Sequence, residues 1–190
     1  PNTAKTLAET NLTAAQAADK GNVSILAPND GTARSIADAF AADPDVTSFV
    51  VTGQDAEIPS IQYIIDGKQS MTVLKDVRTL VGDAIDAAIA FLEGNTPPQT
   101  HTYNNGAFDV PAKPSAVVSV DQANVQAEVI DSGYWPASDF TGLGEAAAPA
   151  TDVEITGKVG IVLPTKDEPR WIQDEARFEE ALVAAGYDVE

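Results

Sequence analysis

Two short β-rich runs, Phe49-Val50-Val51-Thr52 and Met71-Thr72-Val73-Leu74, stand close together in the chain with a single helical period between them. The helical period is carried by Ile58, Ile61, Ile64 and Ile65. A helix joining two strands over so short a span is a β-α-β crossover, and crossovers favour parallel strands. Each strand runs out at a charged residue, Asp55 behind the breaker Gly53, and Lys75. Open α/β sheets bind ligands beyond the carboxyl ends of their strands, which singles out Asp55 and Lys75. The plainer reading is that both charges only begin solvated loops.

The same alternation runs along the rest of the chain. Pro1 to Lys20 places Leu7, Ala8, Leu12, Ala15 and Ala18 in a helical pattern that Gly21-Asn22 ends. Val23 to Ala27 is a short apolar run of the buried parallel type. It breaks at Pro28-Asn29-Asp30-Gly31, and a helix is expected from about Thr32, with Ile36, Ala37 and Phe40 on one face. Asp76 to Leu92 is the strongest helix in the sequence, with Leu80, Val81, Ala84, Ile85, Ala88, Ile89 and Leu92 in a wide apolar stripe. Gly94 and Pro97-Pro98 close it. Gln99 to Pro114 is polar, with room for a short β segment near Phe108–Val110. Ala116 to Val120 reads as a strand, and Asp121 to Ile130 as a short helix with Asp121 at its N-cap. Composition changes after Phe140: Thr141 to Thr151 reads as a linker or a disordered terminus. Lys158 to Leu163 is a strand stopped by Pro164, and Trp171, Ala176, Phe178, Leu182 and Val183 lie on a following helix. Strands alternating with helices define an α/β fold.

Charge and composition exclude several functions. The chain has 190 residues, enough for one ordinary domain or two small ones, and a formal net charge of −18 from 11 Lys and Arg against 29 Asp and Glu. Nucleic acid needs a basic footprint, which is lacking, so no nucleic-acid partner is expected. An anionic membrane surface would repel the same charge. No apolar run approaches the roughly 18 residues of a membrane span, and Pro1-Asn2-Thr3 does not open a secretory signal, although one could have been removed. Cysteine is absent, which removes disulfides, thiolate nucleophiles and Cys-ligated zinc. The single histidine, His101, reads as a loop residue, and neither EF-hand nor His-rich spacing marks a metal site. No cofactor is expected.

Four strand-end loops carry the conspicuous polar residues: Asn29-Asp30, Gln54-Asp55, Lys75-Asp76, and Thr165 to Trp171. If the strands are neighbours, a carboxylate, an amide, an ammonium, a guanidinium and an indole share one rim. Hydroxyl groups both donate and accept, so such a mixture suits a neutral polyol, and a flat indole can cover the C–H face of a sugar ring. Phosphate is a poor fit, because no Gly-rich loop opens a helix. Each residue has a structural alternative. Asn29-Asp30-Gly31 can be a turn and helix cap. Trp171 can be core, and Lys166 and Arg170 can be solvated or paired with Asp167 and Glu168. Trp135 reads as packing.

The segments APNDGTA (27–33), TGQDAEIPSIQYIIDGKQSMTVLKD (52–76), NNGAFDVP (104–111) and GKVGIVLPTKDEPRW (157–171) resemble the periplasmic monosaccharide-binding proteins of ABC importers, in particular the xylose and multiple-sugar receptors. The resemblance covers about 23–140 and 157–190. It implies a type I periplasmic-binding-protein fold, with three-layer lobes around parallel sheets that close on one pyranose at a hinge. It implies that Asn29 and Asp55 hydrogen-bond sugar hydroxyls and that Lys75 takes the polar position after the TVL strand. It also implies that Lys166 and Arg170 line the site and that Trp171 stacks on the ring. Such proteins deliver sugar to a membrane permease and do no chemistry on it. They are periplasmic or extracellular, and Gly144 to Thr156 resembles the leader behind a lipoprotein anchor.

The motif order differs from the family order. Residues 1–140 resemble the carboxy-terminal portion of such a receptor, 141–156 a linker, and 157–190 the amino-terminal strand-helix-strand opening. The expectation is therefore an incomplete, circularly permuted and engineered chain, lacking the middle segment of the family. Bare sheet edges and apolar faces would then invite a dimer partner or a complementing chain. Three other functions compete with sugar reception. One is the effector domain of a sugar-responsive transcription regulator, which would need an attached helix-turn-helix. Another is a sugar isomerase or hydrolase, for which Asp55 and Lys75 are the only acid–base pair. The last is a sensor or scaffold fragment without a working site.

Overall fold

The structure, a computed structural model, describes residues 2–143 and 159–161 and the helical positions Ala176, Glu179 and Val183. The element order begins α1 (Asn2–Ala14), β1 (Asn22–Leu26), α2 (Asp30–Ala42), β2 (Ser48–Val51), α3 (Ile58–Ile65), β3 (Met71–Lys75) and α4 (Val77–Leu92). It continues with β4 (His101–Asn104), β5 (Asp109–Ala112), β6 (Val117–Asp121) and β7 (Val159–Ile161). The expected α/β alternation is present from α1 to α4.

The chain divides into two compact units, one of residues 1–73 with 119–190 and one of residues 74–118. In the first unit, β2, β1 and β7 form a sheet in that order. Both pairings are parallel, with Ile25 opposite Val51 on one side and Gly160 on the other. The crossover spacing predicts parallel pairing of β2 with β3, whereas the parallel partner of β2 is β1, and β3 lies in a second sheet with β6.

The core of the first unit follows the sequence pattern. The α2 face of Ala33, Ile36, Ala37 and Phe40 is buried together with Leu12 of α1, Ile25 of β1 and Val51 of β2. The rings of Phe40 and Phe49 meet at 6.1 Å. Ile61 and Ile64 of α3 are fully buried, and the exposed flank of that helix takes Gln62 to Thr141. Complete burial of an Ile side chain contributes about 1.5–3 kcal/mol, so Ile36, Ile61 and Ile64 anchor both helices.

Several boundaries and one environment depart from the sequence reading. Helix α1 stops at Ala14, and Ala17–Asp19 forms a separate 3-10 turn. Helix α2 starts at Asp30 rather than Thr32, because Asn29 Oδ1 accepts from Thr32 N at 2.9 Å and caps it. The segment expected as a helix from Asp121 is instead the end of β6 followed by a π-helical turn at Gln126–Asp131. Asp121 does cap its own loop, accepting from Ala123 N and Asn124 N. The β segment near Phe108–Val110 is one arm of an antiparallel hairpin, β4–β5, with Tyr103 opposite Val110.

Helix α4 forms as expected behind its Asp76 cap, but it has no buried residue. Leu80, Val81, Ile85 and Ile89 are all about half exposed, and Leu92 is 87% exposed. Amphipathic periodicity predicts the helix and says nothing about whether the chain brings a surface to cover it. Of the helix expected to follow Trp171, the described positions Ala176, Glu179 and Val183 are helical and exposed.

Candidate functional site

In the first unit the loops after β1 and β2 meet at the carboxyl end of the parallel sheet. Asp30 N donates to Gln54 O at 2.9 Å, which fastens the Asn29-Asp30 turn to the Gln54-Asp55 turn. Two sequence-predicted residues, Asn29 and Asp55, therefore do share one rim. Asn29 is half-buried, and its cap uses only Oδ1, leaving the Nδ2 donors outside the cap. Its cap role and a ligand role are compatible. Asp55 is exposed and has a φ of 105°, and Ala56 beside it has a φ of 51°. Two consecutive non-glycine residues in this region cost about 1–3 kcal/mol each, and such strain persists only where the surroundings dictate it.

Those surroundings centre on Asp30, which is fully buried. Its Oδ1 accepts from Thr72 Oγ1 at 2.7 Å and from Gln69 Nε2 at 3.0 Å, and its Oδ2 accepts from Glu57 N at 2.9 Å. Burial pushes its carboxyl above the usual range, against the opposing pull of these donors. Thr72 Oγ1 also accepts from Ala56 N at 3.2 Å. Ala56 O accepts from Trp135 Nε1 at 2.8 Å, and Asp55 N donates to Val73 O at 3.0 Å. Ser60 Oγ donates to Gln69 Oε1 at 2.9 Å and accepts from Arg34 Nη1 at 2.7 Å. Arg34 in turn pairs with Glu57 at 2.7 Å.

Glycine is required at Gly53 for steric reasons. A Cβ there would overlap both Asp30 Oδ1 and Gln69 Nε2. Every polar atom of the cluster is accommodated: among the described residues no buried side-chain nitrogen or oxygen lacks a partner.

The other sequence-predicted residues fall elsewhere. Lys75 is the half-buried last residue of β3, in the second unit. Lys166, Arg170 and Trp171 lie outside the described residues. Trp135, read from sequence as packing, stacks edge-on with Tyr134 at 5.1 Å and also holds the Asp55 loop through its indole N–H. Sequence reasoning missed Asp30, Gln69 and Thr72 as a cluster. Asp30 looked like half of a turn, and only the alternation of β3, which sends Thr72 inward, hinted that a polar residue would be buried. Among the described residues no group of three His, Cys, Asp or Glu is placed to hold a metal ion.

A parallel α/β sheet with two polar loops locked together at its carboxyl rim is the scaffold of a small-molecule-binding protein. Residues 1–96 match the periplasmic binding protein domain, and the chain belongs to that family. It is 40% identical over 121 residues to the multiple sugar-binding periplasmic protein SbpA of Azospirillum brasilense, covering 61% of this chain and 34% of that protein. Identity to the multiple sugar-binding periplasmic receptor ChvE of Rhizobium radiobacter is 36% over 136 residues, 68% of this chain and 38% of that protein. Among solved structures, a carbohydrate transporter solute binding protein of Chloroflexus aurantiacus in complex with D-glucose is 70% identical. The two superpose with a TM-score of 0.71 over 75% of this chain and 42% of that one. An ABC transporter solute binding protein of Clostridium phytofermentans with bound β-D-glucose is 31% identical, with a TM-score of 0.64 over 72% and 43% of the two chains. The chain thus spans little more than a third of the length of the curated relatives it matches. The fold is that of the type I periplasmic binding proteins, a binding and transport family.

Proposed function

We propose that this chain carries part of the solute receptor of an ABC sugar importer and binds an aldopyranose through Asn29 and Asp55. The observation that carries this reading is the rim itself. An exposed carboxylate stands on a strained loop tied directly to the loop of an amide residue. Hydroxyl groups donate to Asp55 and accept from Asn29 Nδ2, which is the pairing a neutral polyol needs. The sugars named for the relatives and bound in the solved neighbours support the same ligand class. Lys75, Lys166, Arg170 and Trp171 complete the proposed set of sugar contacts.

The rest of the assignment follows from that role. The protein delivers sugar to a membrane permease and performs no reaction on it. Its place is the periplasm or the extracellular face, with a lipoprotein anchor on the parent protein. The permuted motif order belongs to the proposal too. The parallel pairing of β7, Val159–Ile161, with β1 supports including that segment in the same fold. Reading the encoding gene tests this, and a natural, uninterrupted gene in this order overturns the engineered origin.

Native mass spectrometry of the purified chain with xylose, glucose, galactose and arabinose tests the binding. The expected result is one added sugar per site, lost in Asp55→Ala. A folded chain that gains no mass from any of the four overturns the reading.

A further inference from the structure

We propose that Asp30, Thr72 and Trp135 are positioning residues that preset the Asp55 carboxylate for its ligand; this rests on the sugar-binding reading above. Asp55 and Ala56 hold φ values of 105° and 51°, a conformation that an unsupported Asp-Ala pair leaves at once. Three side chains from distant parts of the chain converge on Ala56 and its neighbour Glu57. The Thr72 hydroxyl takes Ala56 N–H, the Trp135 indole donates to Ala56 O, and Asp30 takes Glu57 N–H. Thr72 and Asp30 are themselves joined at 2.7 Å, so one hydroxyl proton links the carboxylate under the loop to the amide within it.

None of these groups stands where Asp55 stands. Asp30 and Thr72 are fully buried, whereas Asp55 is exposed. The clamp fixes the loop and leaves the Asp55 side chain at the rim. Binding groups held in advance lose less entropy on complex formation than groups that must be ordered. The clamp therefore acts on affinity chiefly through the loop that carries Asp55.

The test uses Thr72→Val, which keeps the shape and removes the hydroxyl, and Thr72→Ser, which restores it. Calorimetric titration of the full chain with D-glucose and D-xylose gives affinities, and amide hydrogen exchange by NMR gives the protection of Ala56 and of the core amides Ile61 and Ile64. Thr72→Val is expected to weaken affinity about tenfold, to speed exchange at Ala56 and to leave Ile61 and Ile64 unchanged. Thr72→Ser is expected to recover most of both losses. In an Asp55→Asn background, which keeps a weaker hydrogen-bonding group at the rim, Thr72→Val should cost clearly less affinity than in the wild type, since two residues acting through one contact are not additive. A full additional loss in that background overturns the proposal, as does an unchanged affinity in Thr72→Val alone. If the wild-type chain binds none of xylose, glucose, galactose and arabinose, the sugar-binding reading fails and exchange alone decides the clamp. Faster Ala56 exchange over an unchanged core then upholds it, and unchanged Ala56 exchange overturns it.

Discussion

Replacing Gly53 by alanine adds one methyl group at the point where the Asp30 carboxylate and the Gln69 amide approach the backbone most closely. The new Cβ overlaps Asp30 Oδ1 and Gln69 Nε2, both buried, so neither can swing into solvent. Moving Asp30 breaks the bonds from Thr72 at 2.7 Å and from Gln69 at 3.0 Å. A hydrogen bond to a charged group is worth about 1.5–3 kcal/mol, and overpacking adds about 1–3 kcal/mol. Partial relaxation offsets some of this, which leaves a loss of roughly 3–5 kcal/mol. That is a large part of the ~5–15 kcal/mol stability of an ordinary domain. Urea unfolding followed by tryptophan fluorescence measures it, because the Trp135 indole bonds to Ala56 O in the same loop. Gly82→Ala is the control. Gly82 lies within α4 with nothing near its would-be Cβ, so the same methyl there gains about 1 kcal/mol of helix stability. A Gly53→Ala chain within ~1 kcal/mol of wild type at unchanged m-value would refute the reasoning.

Asp55→Gly is expected to relieve the positive φ of 105° and stabilise the chain by roughly 1 kcal/mol while abolishing sugar binding; paired urea and calorimetric titrations check both signs. The hydrogen bond from Lys20 Nζ at 2.9 Å holds the Asp43 carboxyl below its ordinary value. Its contribution is present above the unfolded carboxylate pKa of ~3.9 and lost as pH falls through the lower folded value. Asp30 has the opposite sign. Its raised carboxyl keeps a proton in the folded state that the unfolded chain has released, so its contribution falls as pH rises above ~3.9 toward the folded value. Urea midpoints measured from pH ~2.5 to 6 should show a shallower acid limb in Lys20→Met and a shallower decline above pH ~4 in Asp30→Asn.

Local pattern alone determined the alternating elements and the direction of the sheet. Apolar runs such as Val23 to Ala27 lack the polar alternation of a half-exposed strand, and Ile58, Ile61 and Ile64 fit a helix, so the buried parallel type of β1 and the helix α3 were legible, while the partner of β2 was not: the spacing pointed to β3 and the structure pairs β2 with β1. The rim positions of Asn29 and Asp55 followed from the same rule, because strand ends in a parallel sheet must share an edge. Tertiary structure decided what lies under that edge. Asp30 is 39 and 42 residues from Gln69 and Thr72, and no local period marks a carboxyl that three donors hold in place against the cost of its desolvation. The backbone of Asp55 and Ala56 was equally hidden, since positive φ at non-glycine residues is imposed by partners, here Thr72 and Trp135. Helix α4 shows the converse limit. Its stripe fixed the helix, while burial depends on whether another surface is there to meet it, and Leu80, Ile85 and Ile89 remain about half exposed.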